Sequence, residues 1–232
     1  GYRETDPLGG HDPYSASKGC AELVAACWQR SFFAAADYAK HGKAIATARA
    51  GNVIGGGDWA PHRIIPDCMR ALRAGKPIVV RNPRAVRPWQ HVLEPLYGYL
   101  LLGQRLLEQG PAFGGPWNFG PDFASTRPVG ELVQQLIALW GSGSWVSPSQ
   151  QDAPHESTLL ALDCTKAKSL LGWQPRLTLH KALEYTIEWY RCCGNDREAI
   201  CRGQIADYLA APAAGQYGAG WCTAPAPREA KP

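Results

Sequence analysis

From Asp12 onward, apolar residues recur at three- and four-residue spacing: Ala21, Val24, Ala25, Trp28 and Phe32 share one helical stripe, and the pattern continues to Tyr38. Asp12 is a capping residue type and Pro13 suits a first helical position, so a helix is predicted to open there and to close at His41-Gly42. Lys43–Arg49 then reads as a short buried strand, and Gly51–Gly57 as a glycine-rich loop off its carboxyl end. A second helix is predicted over Ile64–Ala74, a strand over Ile78–Arg81, a basic loop over Arg84–His91 and a strongly apolar helix over Val92–Gln109. Trp117–Pro121 reads as a strand running into a turn. Beyond it come a helix over Thr126–Trp140, strands over Ser144–Val146 and Thr158–Leu162, a short helix over Lys166–Leu171 stopped by Gly172, and a long helix over Leu179–Arg202. Ala, Pro and Gly dominate Ala211–Pro232, which predicts a disordered tail. Strands alternating with helices argue an α/β fold.

Composition narrows the function classes. The 232 residues are 45% hydrophobic and 19% charged, enough to build a core. A net charge of +4, with acids and bases interspersed, argues against nucleic acid as a partner. No apolar run approaches the roughly 18 residues of a membrane helix, and no secretory signal pattern opens the chain. The eight cysteines form no C-x-x-C pair and have no histidine at zinc-finger spacing. They predict reduced structural thiols, no metal, and a cytoplasmic protein.

The sharpest chemical signal is Tyr14-Ser-Ala-Ser-Lys18. Positions four apart on a helix share a face, so phenol and ammonium point into the same space. A cation beside a phenol favours the phenolate, which can take a proton from an alcohol. The plainer alternative is an amphipathic tyrosine beside a solvated lysine. Gly55-Gly56-Gly57 is not a dinucleotide fingerprint, because no third glycine follows at the required spacing before a helix.

The surroundings of this pair change the picture. Tyr14-Ser-Ala-Ser-Lys18-Gly-Cys-Ala-Glu22 resembles the active-site helix of the extended short-chain dehydrogenase/reductase family. Arg49-Ala-Gly-Asn52-Val53-Ile-Gly55 resembles that family's strand-to-loop motif. Arg87-Pro-Trp-Gln-His91-Val92 resembles the segment whose arginine holds a nucleotide diphosphate, and Trp117-Asn118-Phe119-Gly120 the strand and turn that follow. Ile54-Gly55-Gly56 stands where other members carry tyrosine-glycine-proline. With the Arg-Pro-Trp-Gln-His run, His155-Glu156 and Leu171-Gly-Trp173-Gln-Pro175, it aligns the resemblance with the branch acting on CDP-sugars, over roughly residues 1–208.

The resemblance implies the carboxyl-terminal part of a Rossmann-type parallel sheet (1–57), a small α/β sugar-nucleotide-binding domain (58–208, some segments returning to the sheet) and a tail (209–232). It implies NAD as cofactor and CDP-glucose as substrate, dehydrated for deoxysugar and polysaccharide synthesis. Tyr14 would be the base toward the sugar 4-hydroxyl, and Lys18 would hold the nicotinamide ribose. Asn52 and Arg87 would meet the sugar and diphosphate, and Arg63 would be a further substrate contact. Val79–Arg81 would flank the base, with Asn118 and His155 at the nucleoside; Trp89 and His91 would be packing residues. A homodimer of the full-length protein is expected through Val24, Trp28 and Phe32. The family's glycine-rich pyrophosphate turn would lie roughly 100 residues upstream of Gly1, so the chain is expected to lack the cofactor-binding part and to be inactive alone. Another sugar-nucleotide dehydratase, a 4-epimerase, and a non-catalytic sugar-nucleotide-binding fragment remain open.

Overall fold

The computed structural model describes residues 1–10, 12–148, 160–192 and 196–212. Helix α1 (Pro13–Phe32) starts as its sequence dictates: Asp12 accepts the Ser15 N–H at 2.9 Å, and Pro13 occupies the first turn. It lies against strand β1 (Ala46–Ala50) through Glu22, which takes a two-pronged hydrogen bond from Arg49 and a third from Thr47 at 2.8 Å. The Arg49 guanidinium, outweighing partial burial, holds the Glu22 carboxyl below the usual carboxylate range.

Strand β1 pairs in parallel with β5 (Gly115–Phe119). Helix α4 (Leu93–Gln109) covers β5, closely enough that a Cβ on Gly98 would meet the Phe119 ring at 2.4 Å. Phe119, Trp117, Leu102, Leu171 and Trp173 form one core. A second core joins α3 (Ile64–Arg73), α5 (Val129–Trp140) and α6 (Leu179–Arg191) around β4 (Val86–His91) and β3 (Ile78–Val79). Between the cores runs a three-stranded sheet in the order β2 (Asn52–Ile54), β4, β6 (Thr126–Pro128); β2 is parallel to β4, and β6 antiparallel. Strand β3 pairs in parallel with β7 (Trp145–Val146).

Several sequence expectations are corrected. Arg84–His91 is a strand over most of its length: β4 is flanked on both edges, and Arg87–His91 are all buried, so it lacks the alternation of a half-exposed strand. Asn52–Ile54, expected inside the glycine loop, pair with Trp89–His91 first; the loop begins only after Ile54. The first helix ends at Phe32. The chain then makes a 3-10 turn and a short helix α2 (Tyr38–His41), fastened by the His41 Nε2 contact to the Ala34 carbonyl at 3.0 Å. Strand β1 is half-buried rather than buried. Thr126–Pro128 pair with β4 before α5 starts.

The long helix expected over Leu179–Arg202 is two helices. Backbone ψ of 126° at Cys192 ends α6, and α7 (Arg197–Ala210) returns along it, with Gln204 donating to the Tyr185 carbonyl at 3.0 Å. Residues 209 and 210 therefore belong to α7, not to a tail. Glu94, at 1% exposure, ties this end of the molecule together: it accepts from the Arg176 and Leu177 N–H groups at 2.8 and 2.6 Å and from the Tyr208 hydroxyl at 2.8 Å. His155, residues 158 and 159 of the expected strand, and the tail beyond 212 lie outside the described residues. Among the described residues, no helix is long and apolar enough to cross a membrane.

Candidate active-site cleft

A cleft of about 920 Å³ opens between α1, the β2 and β4 strands and the amino end of α3. Tyr14, Asn52, Arg63, Val79, Arg81 and Arg87 all line it. They come from five separated segments, and the fold brings them to one place. Tyr14 is 72% exposed at the edge, and the Lys18 ammonium lies 5.5 Å from its ring centroid, so the two share the face that their spacing requires. Asn52 opens β2 opposite Trp89.

Arg87 is buried, with 8% exposure, and donates to the Val86 carbonyl at 2.9 Å. Directly across the antiparallel pair stands Arg127. Arg127 does not line the cleft and pairs with Glu131 at 3.7 Å, which offsets the like charge that the register places beside Arg87. Arg87 is the predicted residue most deeply set in the cleft, a position suited to an anion held away from water.

Arg63 stands at the mouth, exposed, and pairs with Asp58 at 2.9 Å. Partial burial alone would raise the Asp58 carboxyl; the Ala60 N–H and the Arg63 guanidinium outweigh it and hold the group below the carboxylate range. So exposed a pair contributes about 0–1 kcal/mol to stability; its effect here is to place the guanidinium. The loop carrying Asp58 is clamped from behind. Trp189 packs under Gly56, the Tyr190 hydroxyl donates to the Asp58 carbonyl, and the Arg73 guanidinium lies 5.1 Å from the Trp59 ring centroid. A Cβ on Gly56 would sit 2.1 Å from Trp189 Cγ. Gly56→Ala should therefore destabilise the chain by about 1–3 kcal/mol. A urea midpoint equal to the wild-type value would refute that.

Lys18, beside Tyr14, is not among the lining residues, and two further predicted residues stand apart. Asn118 is buried on β5, where its Nδ2 donates to the Tyr2 and Asp163 carbonyls at 3.0 and 3.2 Å, and it does not line the cleft. His155 lies outside the described residues. Trp89 and His91 pack as expected: the Trp89 indole donates to the Arg127 carbonyl at 3.0 Å, and the His91 ring meets Tyr185 edge-on. Sequence reading missed Asp67, which lines the cleft one helical turn beyond Arg63, and the Trp189–Tyr190 clamp. The i,i+4 spacing of Arg63 and Asp67 was the available signal for the first. For the clamp there was none, because 132 residues separate Tyr190 from Asp58.

Comparison with known proteins bears on these residues. No family model matches the chain. It is 47% identical over 214 residues, 91% of its length, to CDP-glucose 4,6-dehydratase of Salmonella typhimurium. The chain is a homologue of that enzyme. A dTDP-glucose 4,6-dehydratase of Streptomyces niveus is 27% identical over 193 residues. The crystal structure of dTDP-glucose 4,6-dehydratase from Streptomyces venezuelae, solved with NAD bound, superposes with a TM-score of 0.65 and 26% identity over 82% of the chain and 54% of that structure. The chain spans 59% of the length of the Salmonella protein and 52% of the Streptomyces niveus one. The resemblance to the extended short-chain dehydrogenase/reductase family read from the motifs, and the α/β fold with a Rossmann-type parallel sheet that it implied, are borne out.

Proposed function

We propose that the cleft binds CDP-glucose and that this chain supplies the substrate side of an NAD-dependent lyase converting CDP-D-glucose to CDP-4-dehydro-6-deoxy-D-glucose, with loss of water. One observation carries the reading: six residues singled out by sequence, including three arginines, converge on one cleft beside the Tyr14–Lys18 pair. In this reading residues 1–57 complete the dinucleotide domain and 58–208 mainly bind substrate. Arg87 and Arg63 meet the diphosphate, Asn52 donates to sugar or diphosphate, and Val79–Arg81 flank the base.

Tyr14 and Lys18 suit the ribose of a nicotinamide nucleotide, being neighbouring exposed polar groups on one helix face, with Tyr14 at the cleft's edge. When bound, that cofactor supplies a hydride acceptor. Tyr14 takes the proton of the sugar 4-hydroxyl, with the Lys18 ammonium beside its ring. Val24, Trp28 and Phe32, each more than half exposed along α1, offer the apolar face of a homodimer. The protein is assigned to the cytoplasm with its substrate.

Calorimetric titration with CDP-glucose, dTDP-glucose and UDP-glucose tests the reading. CDP-glucose should bind tightest, and Arg87→Ala should weaken it at least tenfold by removing a charge-assisted contact. A folded chain that gives no heat with any of the three, or equal affinity for all, overturns it.

A further inference from the structure

A cleft that receives a diphosphate has no electrostatic use for a carboxylate, yet two line this one, Asp58 and Asp67. Asp58 uses both carboxylate oxygens, accepting from the Ala60 N–H and from Arg63. Asp67 uses one, in an ion pair with Arg70. It sits one turn into α3 from Arg63, its N–H donating to the Arg63 carbonyl at 3.0 Å, so both side chains leave the same helix face. Its Oδ1 is held by Arg70, whose guanidinium also donates to the Trp59 carbonyl at 2.9 Å and is thereby fixed to the loop. Oδ2 accepts no hydrogen bond among the described residues.

The end of β3 lines the same cleft. Arg81 donates to the His62 carbonyl at 3.3 Å, which fastens that end beside the first turn of α3. Between them, Val79 at 57% exposure and Ile64 offer apolar surface to a flat ring. A cleft lining that carries a carboxylate acceptor, an all-donor guanidinium and apolar side chains has the groups to match one pyrimidine edge. Cytosine presents an amino donor at N4 and acceptors at N3 and O2; uracil and thymine present a carbonyl oxygen at position 4, which a carboxylate repels.

We propose that Asp67 is the residue that selects cytosine, its free Oδ2 accepting from the N4 amino group while Arg81 donates to the acceptors of the ring. The proposal rests on the reading of the cleft as a CDP-sugar site and assigns that site's base specificity to one side chain. Rejection of uracil and thymine comes from the same carboxylate, facing their O4.

Titration of the chain with CDP and with UDP tests it. Wild-type protein should bind CDP about tenfold more tightly than UDP. Asp67→Asn, isosteric and partly exposed, should bring the two affinities to within about twofold, mainly by weakening CDP, because a side-chain amide can present either an acceptor or a donor. Asp58→Asn removes the same charge from the cleft without touching the base, so it should leave the CDP-to-UDP ratio at its wild-type value. A wild-type ratio retained in Asp67→Asn overturns the assignment while leaving the cleft reading intact. Equal collapse of the ratio in both variants also overturns it, making the preference a matter of total charge. Wild-type protein that binds neither nucleotide, or both equally, removes the reading itself and the assignment with it.

Discussion

Replacement of Glu94 by alanine is expected to lower the unfolding free energy by roughly 3–5 kcal/mol, the loss associated with stranding several buried polar partners at once. Three donors converge on this carboxylate: two backbone N–H groups of the 176–177 segment and the Tyr208 hydroxyl of α7. With Glu94 gone, all three lose their acceptor in a region closed to water. Urea unfolding followed by tryptophan fluorescence measures the effect, since the Trp173 indole donates to the Glu94 carbonyl at 3.1 Å and reports on the same site. A midpoint within error of wild type would show that the segment and α7 dock without it. Burial is the main influence on the Glu94 carboxyl and raises it above the ordinary 4.5, outweighing the hydrogen bonds from Leu177, Arg176 and Tyr208. The sign follows. An acid raised in the folded state contributes stability that is complete below pH 4.5 and is lost as pH rises through the native value.

His91 is expected to act in the opposite direction. Burial lowers its imidazole from 6.5 to about 4, its Nδ1 accepts a long contact from the Leu93 N–H, and its Nε2 has no hydrogen-bond partner among the described residues. The unfolded chain takes up a proton below pH 6.5 that the folded chain refuses until about pH 4, so stability present above 6.5 drains away across that window. Between pH 7 and 5 the loss from this residue amounts to about 2 kcal/mol, at about 1.4 kcal/mol per pH unit below 6.5. Unfolding free energies at the two pH values should differ by that much less in His91→Leu than in wild type. Equal differences in the two proteins would mean that the buried imidazole titrates normally.

Local rules carried a large part of the structure. The start of α1 was legible because Asp12, Pro13 and the apolar stripe all act within a few residues of one another. The Tyr14–Lys18 geometry follows from helix spacing alone, and the helices over Ile64–Arg73 and Leu93–Gln109 follow from strong periodicity. Most of what escaped was decided at a distance. Strand β4 looked like a basic loop because its polar residues are buried by neighbours 29 or more residues away: Gln90 donates to the Phe119 carbonyl, and Trp89 to that of Arg127. The division of the last helix in two had a local signal that the helical reading passed over: Gly194-Asn195, residue types that interrupt helices, follow the end of α6. At the cleft, motif residues were visible one by one, but Asp67 belongs to no motif, and its relevance emerges only when α3 is set against the end of β3.

The placement of the cleft has a thermodynamic consequence. Tyr14 rides on the helix braced to β1, whereas Arg63, Val79 and Arg81 belong to the elements around the second core. A molecule long enough to touch both would tie α1 to the elements around α3 and β3. Its binding energy would then also be stability of the whole chain, so occupancy of the cleft would raise the free energy of unfolding.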